Sequence, residues 1–217
     1  MKTAMLAAAL GALLLGAGSL KAQREERTEE PAYEVVASDG ALELRDYPEL
    51  IVAETIHAGT RRRASGMGFR RLAAYIFGYE RPGAEGAGAI AMTAPVLQDR
   101  PRQAEPQIAM TAPVLQDADR PGEWRTRFIM PSEWTLDTLP EAAADVTLTT
   151  VPARRVATIR FNGDGNAIDL AAQEKRLREW IGAEGWKVAG AAEYAFYDAP
   201  MVSPVDRRNE VMIPVVD

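Results

Sequence analysis

Laid over itself with an offset of 104 positions, the chain brings its punctuation into line. Pro48, Val52, Ala53, Gly59, Gly78 and Ala91 fall on Pro152, Val156, Ala157, Gly163, Gly182 and Ala195. The shared points are a strand start, a strand interior, a strand end, a helix stop and the strand after the helix. Both halves therefore read as hairpin, helix, hairpin. Two such halves predict one α+β domain with two flanking helices, its sheets closing around a pseudo-twofold axis into a barrel-like body. The match lies in punctuation rather than in overall identity.

A second repeat is shorter and unchanged: Ile90-Ala-Met-Thr-Ala-Pro-Val-Leu-Gln-Asp99 recurs as Ile108-Ala-Met-Thr-Ala-Pro-Val-Leu-Gln-Asp117. Each copy has room for about five extended residues before its proline, near the usual strand length. In such a strand Ile90, Met92 and Ala94 point one way, and Ala91 and Thr93 the other. Pro95 and Pro113 have no N–H for a ladder, so each copy should end, bulge or lie on an edge there. The expectation is two strands of an antiparallel pair with a long connection; the sharper alternative is that these Met- and Pro-bearing segments wall a ligand site. By the offset of 104, the first copy should match Tyr194 to Pro200.

The other elements follow from periodicity. Tyr33–Ala37 and Ala41–Tyr47 form a hairpin around Ser38-Asp39-Gly40, and Leu50–Ala58 is the next strand. Phe69, Leu72, Ala73, Ile76 and Phe77 make one apolar stripe, which predicts a helix from Ser65 to Phe77 closed by Gly78. Strands are expected over Trp124–Met130, Asp145–Val151, Arg155–Asn162, Tyr194–Tyr197 and Val211–Val215. A second helix should span Ala167–Ile181, with Asn166 as N-cap and Gly182 as its end.

Residues 1–22 read as a signal peptide or an uncleaved tether: Lys2 precedes an apolar run from Ala4 to Ala17 that is short for a membrane span. Residues 23–32 read as a polar linker, and residues 33–217 as the folded domain. The exported protein is therefore expected in the periplasm or secreted, with no stable membrane insertion of the mature domain.

Composition removes several kinds of chemistry. Cysteine is absent, which excludes thiol nucleophiles, disulfides and thiolate metal sites. With His57 as the single histidine, a multi-histidine metal centre is excluded as well. No G-x-S-x-G elbow supports a serine triad. A net charge of −6 and the lack of a long basic run argue against nucleic acid as a partner. The arginines Arg61, Arg62, Arg63, Arg70 and Arg71 read as a solvated helix entrance, or as a contact for an anionic ligand. Asp164-Gly165-Asn166 lacks the next oxygen ligand of a calcium loop, because Ile168 stands there. No catalytic residues are expected, and the reading is a binding protein rather than an enzyme.

The duplicated Ile-Ala-Met-Thr-Ala-Pro-Val phrase resembles the signature of the SOUL haem-binding protein family. So do Phe128-Ile-Met-Pro-Ser132, Thr138-Leu-Pro140, Val156-Ala157 before Phe161-Asn-Gly163, and Arg208-Asn-Glu-Val211. The resemblance runs from about Tyr33 to Val215. It implies a distorted antiparallel β-barrel of two similar halves flanked by two helices, which agrees with the offset of 104. It also implies reversible, non-covalent binding of haem or a related tetrapyrrole in a surface hydrophobic groove to which one face of the first helix contributes. Carried over, that face includes Phe69 and Ala73, with Met92 on the following motif. Some members place a basic residue before the helix tyrosine to meet a propionate. Here Ala74 precedes Tyr75, and Arg70 or Arg71 takes that role. Axial ligation varies within the family, so the resemblance names no ligand; by its own place near a strand end, His57 reads as an ordinary strand residue or as an axial ligand candidate. The alternatives are a module for another flat hydrophobic molecule, or a hydrolase on the same scaffold, and a monomer is expected.

Overall fold

The hairpin expected at the start of the domain forms around Gly40, which has the positive φ of 61° that such a tight turn requires. A computed structural model of the protein describes residues 28–79, 88–101, 122–199 and 201–217. Its elements in chain order are β1 (Glu34–Asp39), β2 (Leu42–Tyr47), β3 (Leu50–Gly59), α1 (Arg61–Phe77), β4 (Val96–Asp99) and β5 (Gly122–Ile129). They continue with β6 (Thr147–Val151), β7 (Arg154–Asn162), α2 (Ala167–Ala183), β8 (Lys187–Val188), β9 (Glu193–Phe196) and β10 (Arg208–Val216). The protein is α+β, with one large antiparallel sheet and two helices.

The sheet order is β1-β2-β7-β10-β9-β4-β5-β3-β6, with β8 attached to β10. From β2 inward, the path meets β7, β10 and β9; from β6 inward, it meets β3, β5 and β4. Each of these eight strands thus has a counterpart in the other half, β1 and β8 standing outside the symmetry, and the pseudo-twofold axis passes between β4 and β9, where Gln98 faces Tyr194. Register follows the same symmetry. Ala53 lies opposite Leu148 and Phe128, and Ala157 lies opposite Leu44 and Ile213. The offset of 104 therefore holds through β2/β6 and β3/β7. At its end Gly59 and Gly163 carry φ of 131° and 148°, which side-chain-bearing residues rarely adopt. Each half lends one of these equivalent strands to the other: β2 pairs with β7, and β6 with β3.

Four expectations need correction. Among the described residues the strand path is open, ending at β1 and β6, so strand pairing does not close a barrel. The first repeat forms its strand after Pro95 rather than before it, because residues 90–94 spend their hydrogen bonds elsewhere. The Ile90 N–H donates to Ile76, the Ala94 N–H to Glu29, and the Thr93 hydroxyl to the Ile129 carbonyl. That strand is the counterpart of β9, so the match of the first copy to Tyr194 through Pro200 fails. The second copy, Ile108–Asp117, lies outside the described residues, as do residues 1–27. Gly182 lies inside α2, which ends one residue later and is followed by Glu184 as C-cap.

Residues 28–32, expected in the linker, are anchored to the domain. Glu29 forms a parallel bridge with Thr93 and accepts the Ser132 N–H at 2.9 Å, while Glu30 pairs with Arg208. Apolar side chains collect in three clusters. Leu44, Ala157, Ile159, Val211 and Ile213 pack with Leu170, Leu177 and Ile181 of α2. Ala53 and Phe128 pack with Leu72, Tyr75 and Ile76 of α1. Tyr47, Val52, Leu97, Ile129, Val156, Ala195 and Met212 form the third, to which neither helix contributes. Among the described residues, no helix is long and apolar enough to cross a membrane.

Candidate functional site

Helix α1 sets the geometry of the expected site. The Thr60 side chain accepts the Arg63 N–H at its start, and Gly78 closes it in the left-handed conformation. The helix begins at Arg61, four residues earlier than its apolar stripe suggests. Arg61 is buried rather than solvated, its guanidinium donating to the Gly165 carbonyl at 2.7 Å. The buried face consists of Ala64, Gly68, Leu72, Tyr75 and Ile76. Gly68 is dictated by packing: a Cβ there would stand 2.4 Å from the Thr126 hydroxyl of β5. With the helix seated so closely on β5, Phe69 and Phe77 are turned out, 40% and 45% exposed.

The expected site residues therefore divide between two flanks. At about 100° per residue, Phe69 and Arg71 are separated by roughly 160° around the helix. On one flank, the Phe69 ring meets the edge of Phe128 at 5.4 Å between centroids, half-buried Ala73 follows one turn on, then Phe77. Arg70 beside them is exposed. Met92, 37% exposed, lies on the segment leading into β4, the neighbour of the β5 strand that carries Phe128.

On the other flank, Arg71 makes a two-pronged ion pair with Asp145, both bonds 2.6 Å. The Arg71 guanidinium holds the Asp145 carboxyl below its ordinary range, and the nearby His57 adds to this. His57 is half-buried on β3, opposite Trp124, and its Nδ1 is enclosed without a hydrogen-bond partner. His57 and Arg71 are thus brought together, apart from Phe69 and Ala73. The described residues contain no group of three or more His, Cys, Asp or Glu able to hold a metal ion.

A buried polar network on the sheet face away from the helices has no counterpart among the sequence expectations. Asp99 and Glu193 are cross-strand partners on β4 and β9, and Arg127 reaches both, at 3.1 and 3.3 Å. Arg125 grips Asp99 at 2.6 Å, and Arg154 grips Glu193 at 2.5 Å. Burial alone would raise the Glu193 carboxyl, but Arg154 and Arg127 more than reverse this and hold it below its ordinary range. Further along, Arg45 pairs with Glu210 at 2.8 Å, and Tyr197 donates to the same carboxylate. Burial pushes the Tyr47 hydroxyl beside them up to about 12. The available signal was the alternation of Arg125 and Arg127 with Trp124, Thr126 and Phe128, which gives β5 one charged face.

A surface cavity of about 620 Å³ borders this network at Tyr47 and Arg154, and is lined also by Asp46, Arg155, Pro214 and Asp217. It contains none of the expected residues, and ion pairs from Arg155 to Asp46 and Asp217 cross its rim. Ala153, Ala189, Val215 and Val216 complete a lining that joins apolar side chains to these ion pairs.

The model of the family described as "SOUL heme-binding protein" matches residues 28–105 and 99–214, nearly the whole described domain. The chain belongs to the SOUL haem-binding protein family. The first matched stretch of this SOUL protein ends in the spacer between the two decapeptides. No match is found among curated proteins. Several solved structures share its fold. An uncharacterized conserved protein from Listeria innocua is 12% identical with a TM-score of 0.56, over 83% of this chain and 94% of that one. A structure described as a hydrolase from Listeria innocua has 12% identity and a TM-score of 0.54 over the same shares. EcmrR, in a cryo-EM complex with DNA, has 12% identity and a TM-score of 0.55 over 80% of the SOUL chain. The SOUL chain spans 56% of EcmrR's length. At such identity these likenesses concern fold alone.

Proposed function

We propose that this SOUL protein binds haem or a related tetrapyrrole reversibly on the outward flank of α1. The single observation that carries the reading is an outward apolar stripe, exposed Phe69 and Phe77 with half-buried Ala73 between them, on the first helix of a domain that belongs to a haem-binding family. A flat macrocycle gains most of its affinity from apolar area removed from water, and exposed phenylalanines at i and i+8 supply such a surface. Met92 adds polarisable area beside it. Arg70 is the arginine on this flank that meets a propionate, because Arg71 is engaged by Asp145. His57 serves as axial ligand only in the alternative pose, with the ring against Arg71. The haem would supply its own spectrum and redox chemistry; the protein supplies the surface and the cation.

We further infer an incomplete barrel, supported by the third apolar cluster, which is buried without help from either helix. The protein acts as an exported, monomeric binding module without catalysis of its own. Titration of the purified protein with hemin tests the reading: a Soret shift saturating near one equivalent is expected, weakened in Phe69→Ala. A shift that does not saturate refutes it. An unchanged ligation spectrum in His57→Ala assigns the ring to the Phe69 flank, and a changed one assigns it to the Arg71 flank.

A further inference from the structure

The unchanged decapeptide has a structural consequence, because its first copy fills a slot at the centre of the sheet. Every anchor of that copy belongs to a residue that recurs eighteen positions later. Ile90 is buried against the α1 cluster, and Thr93 donates to the Ile129 carbonyl. Leu97 packs with Val52, Ile129, Ala195 and Met212. Gln98 donates to the Arg61 carbonyl at 3.2 Å, and Asp99 takes Arg125 and Arg127. The corresponding residues of the second copy are Ile108, Thr111, Leu115, Gln116 and Asp117. We propose that the β4 slot between β5 and β9 accepts either copy, so that the protein exchanges two identical strands in one position.

Chain reach permits the exchange. In the described arrangement residues 78–95 join α1 to β4, and residues 100–121 join β4 to β5. With Val114–Asp117 in the slot, residues 78–113 and 118–121 make the two connections. Asp117 would then stand opposite Arg125, three residues from the start of β5. That is about 10 Å along the strand and about 5 Å across, which the roughly 16 Å of five extended steps covers. Connection lengths also leave the two states close in free energy. Doubling the first connection disfavours the exchange by about threefold, and shortening the second favours it by roughly tenfold before stiffness is counted. Contacts of the decapeptides themselves do not tip the balance, since the two strands are the same; the flanking Arg100, which lies over the Trp124 ring at 4.5 Å where the second copy has Ala118, favours the first copy.

The exchange predicts a redundancy that a singly owned slot cannot show. Truncation of a buried leucine ordinarily lowers the folding constant by roughly thirty- to several-thousand-fold. In the full chain, Leu97→Ala and Leu115→Ala should each lower it by less than about tenfold, and the double variant by the whole amount, read from urea unfolding. Hydrogen exchange in Leu97→Ala should show amide protection moving from residues 96–99 to residues 114–117. The milder pair Leu97→Val and Leu115→Val follows the same rule if the double alanine variant does not fold. Full loss in the Leu97 variant alone, or a double variant no worse than either single one, overturns the proposal. None of these readouts involves haem.

Discussion

Replacing Arg127 by methionine tests whether the buried charge network is held by one residue. Arg127 lies between two carboxylates that face each other across β4 and β9, and its side chain is 4% exposed. Removing one partner of a buried ion pair costs about 3–5 kcal/mol, because the remaining charge is left uncompensated. Here Asp99 keeps Arg125 and Glu193 keeps Arg154, so the lower end, about 3 kcal/mol, applies. With a urea slope of about 2 kcal/mol per molar, the unfolding midpoint should fall by about 1.5 M at neutral pH. The pH dependence adds an internal control. In the native protein the Glu193 carboxyl is held below its ordinary value of 4.5. Its stabilisation is therefore complete above that value and is lost as pH falls through the depressed folded value. In Arg127→Met the two carboxylates repel, and one takes up a proton more readily. The deficit of the variant should shrink between neutral pH and about pH 4. A loss under about 1 kcal/mol at neutral pH, with the same acid dependence as the native protein, would show that Arg125 and Arg154 hold the network without it.

Gly68→Ala should cost about 1–3 kcal/mol in thermal unfolding, since its Cβ meets the Thr126 hydroxyl, whereas Gly66→Ala, which faces only the mobile Arg70 end, should be neutral or stabilising. Asn166→Ala removes the acceptor for the Ile168 and Asp169 N–H groups and should cost about 1 kcal/mol, read as a lower melting temperature. Asp145→Asn frees Arg71. If a propionate reaches that flank, hemin affinity rises in the titration; an unchanged affinity places the ring by Phe69. The same substitution should change stability by less than about 1 kcal/mol, because the Asp145 side chain is 59% exposed.

The parts of this architecture that repeat locally are legible in the sequence. Pro48 with Pro152 and Gly59 with Gly163 mark the bends and positive-φ ends of equivalent strands, and chain chemistry alone demands such residues there. Asn166 is legible for the same reason, as a cap acting within three residues. The strand in the repeat was misplaced because the decisive hydrogen bonds of residues 90–94 go to Ile76, Glu29 and Ile129, which local alternation does not reveal. The apolar stripe on α1 is legible in the same local way, but how far each ring is buried is not: Gly68 seats the helix against Thr126 and leaves Phe69 and Phe77 turned outward. The division of the candidate site into two flanks follows from that seating.

The exchange of β2 and β6 across the pseudo-twofold axis bears on how the chain acquires its structure. Leu44 finds its partner Ala157 only after more than half of the chain has been made, and Ala53 waits for Leu148. A nascent chain ending after β5 holds β2 without its inner neighbour, and one starting at β6 holds β6 without β3. Such long-range pairing slows folding relative to local hairpins, because loop entropy is lost before contacts are gained. It also makes folding a closing event: the two halves complete each other late and together, when β7 receives β2 and β3 receives β6.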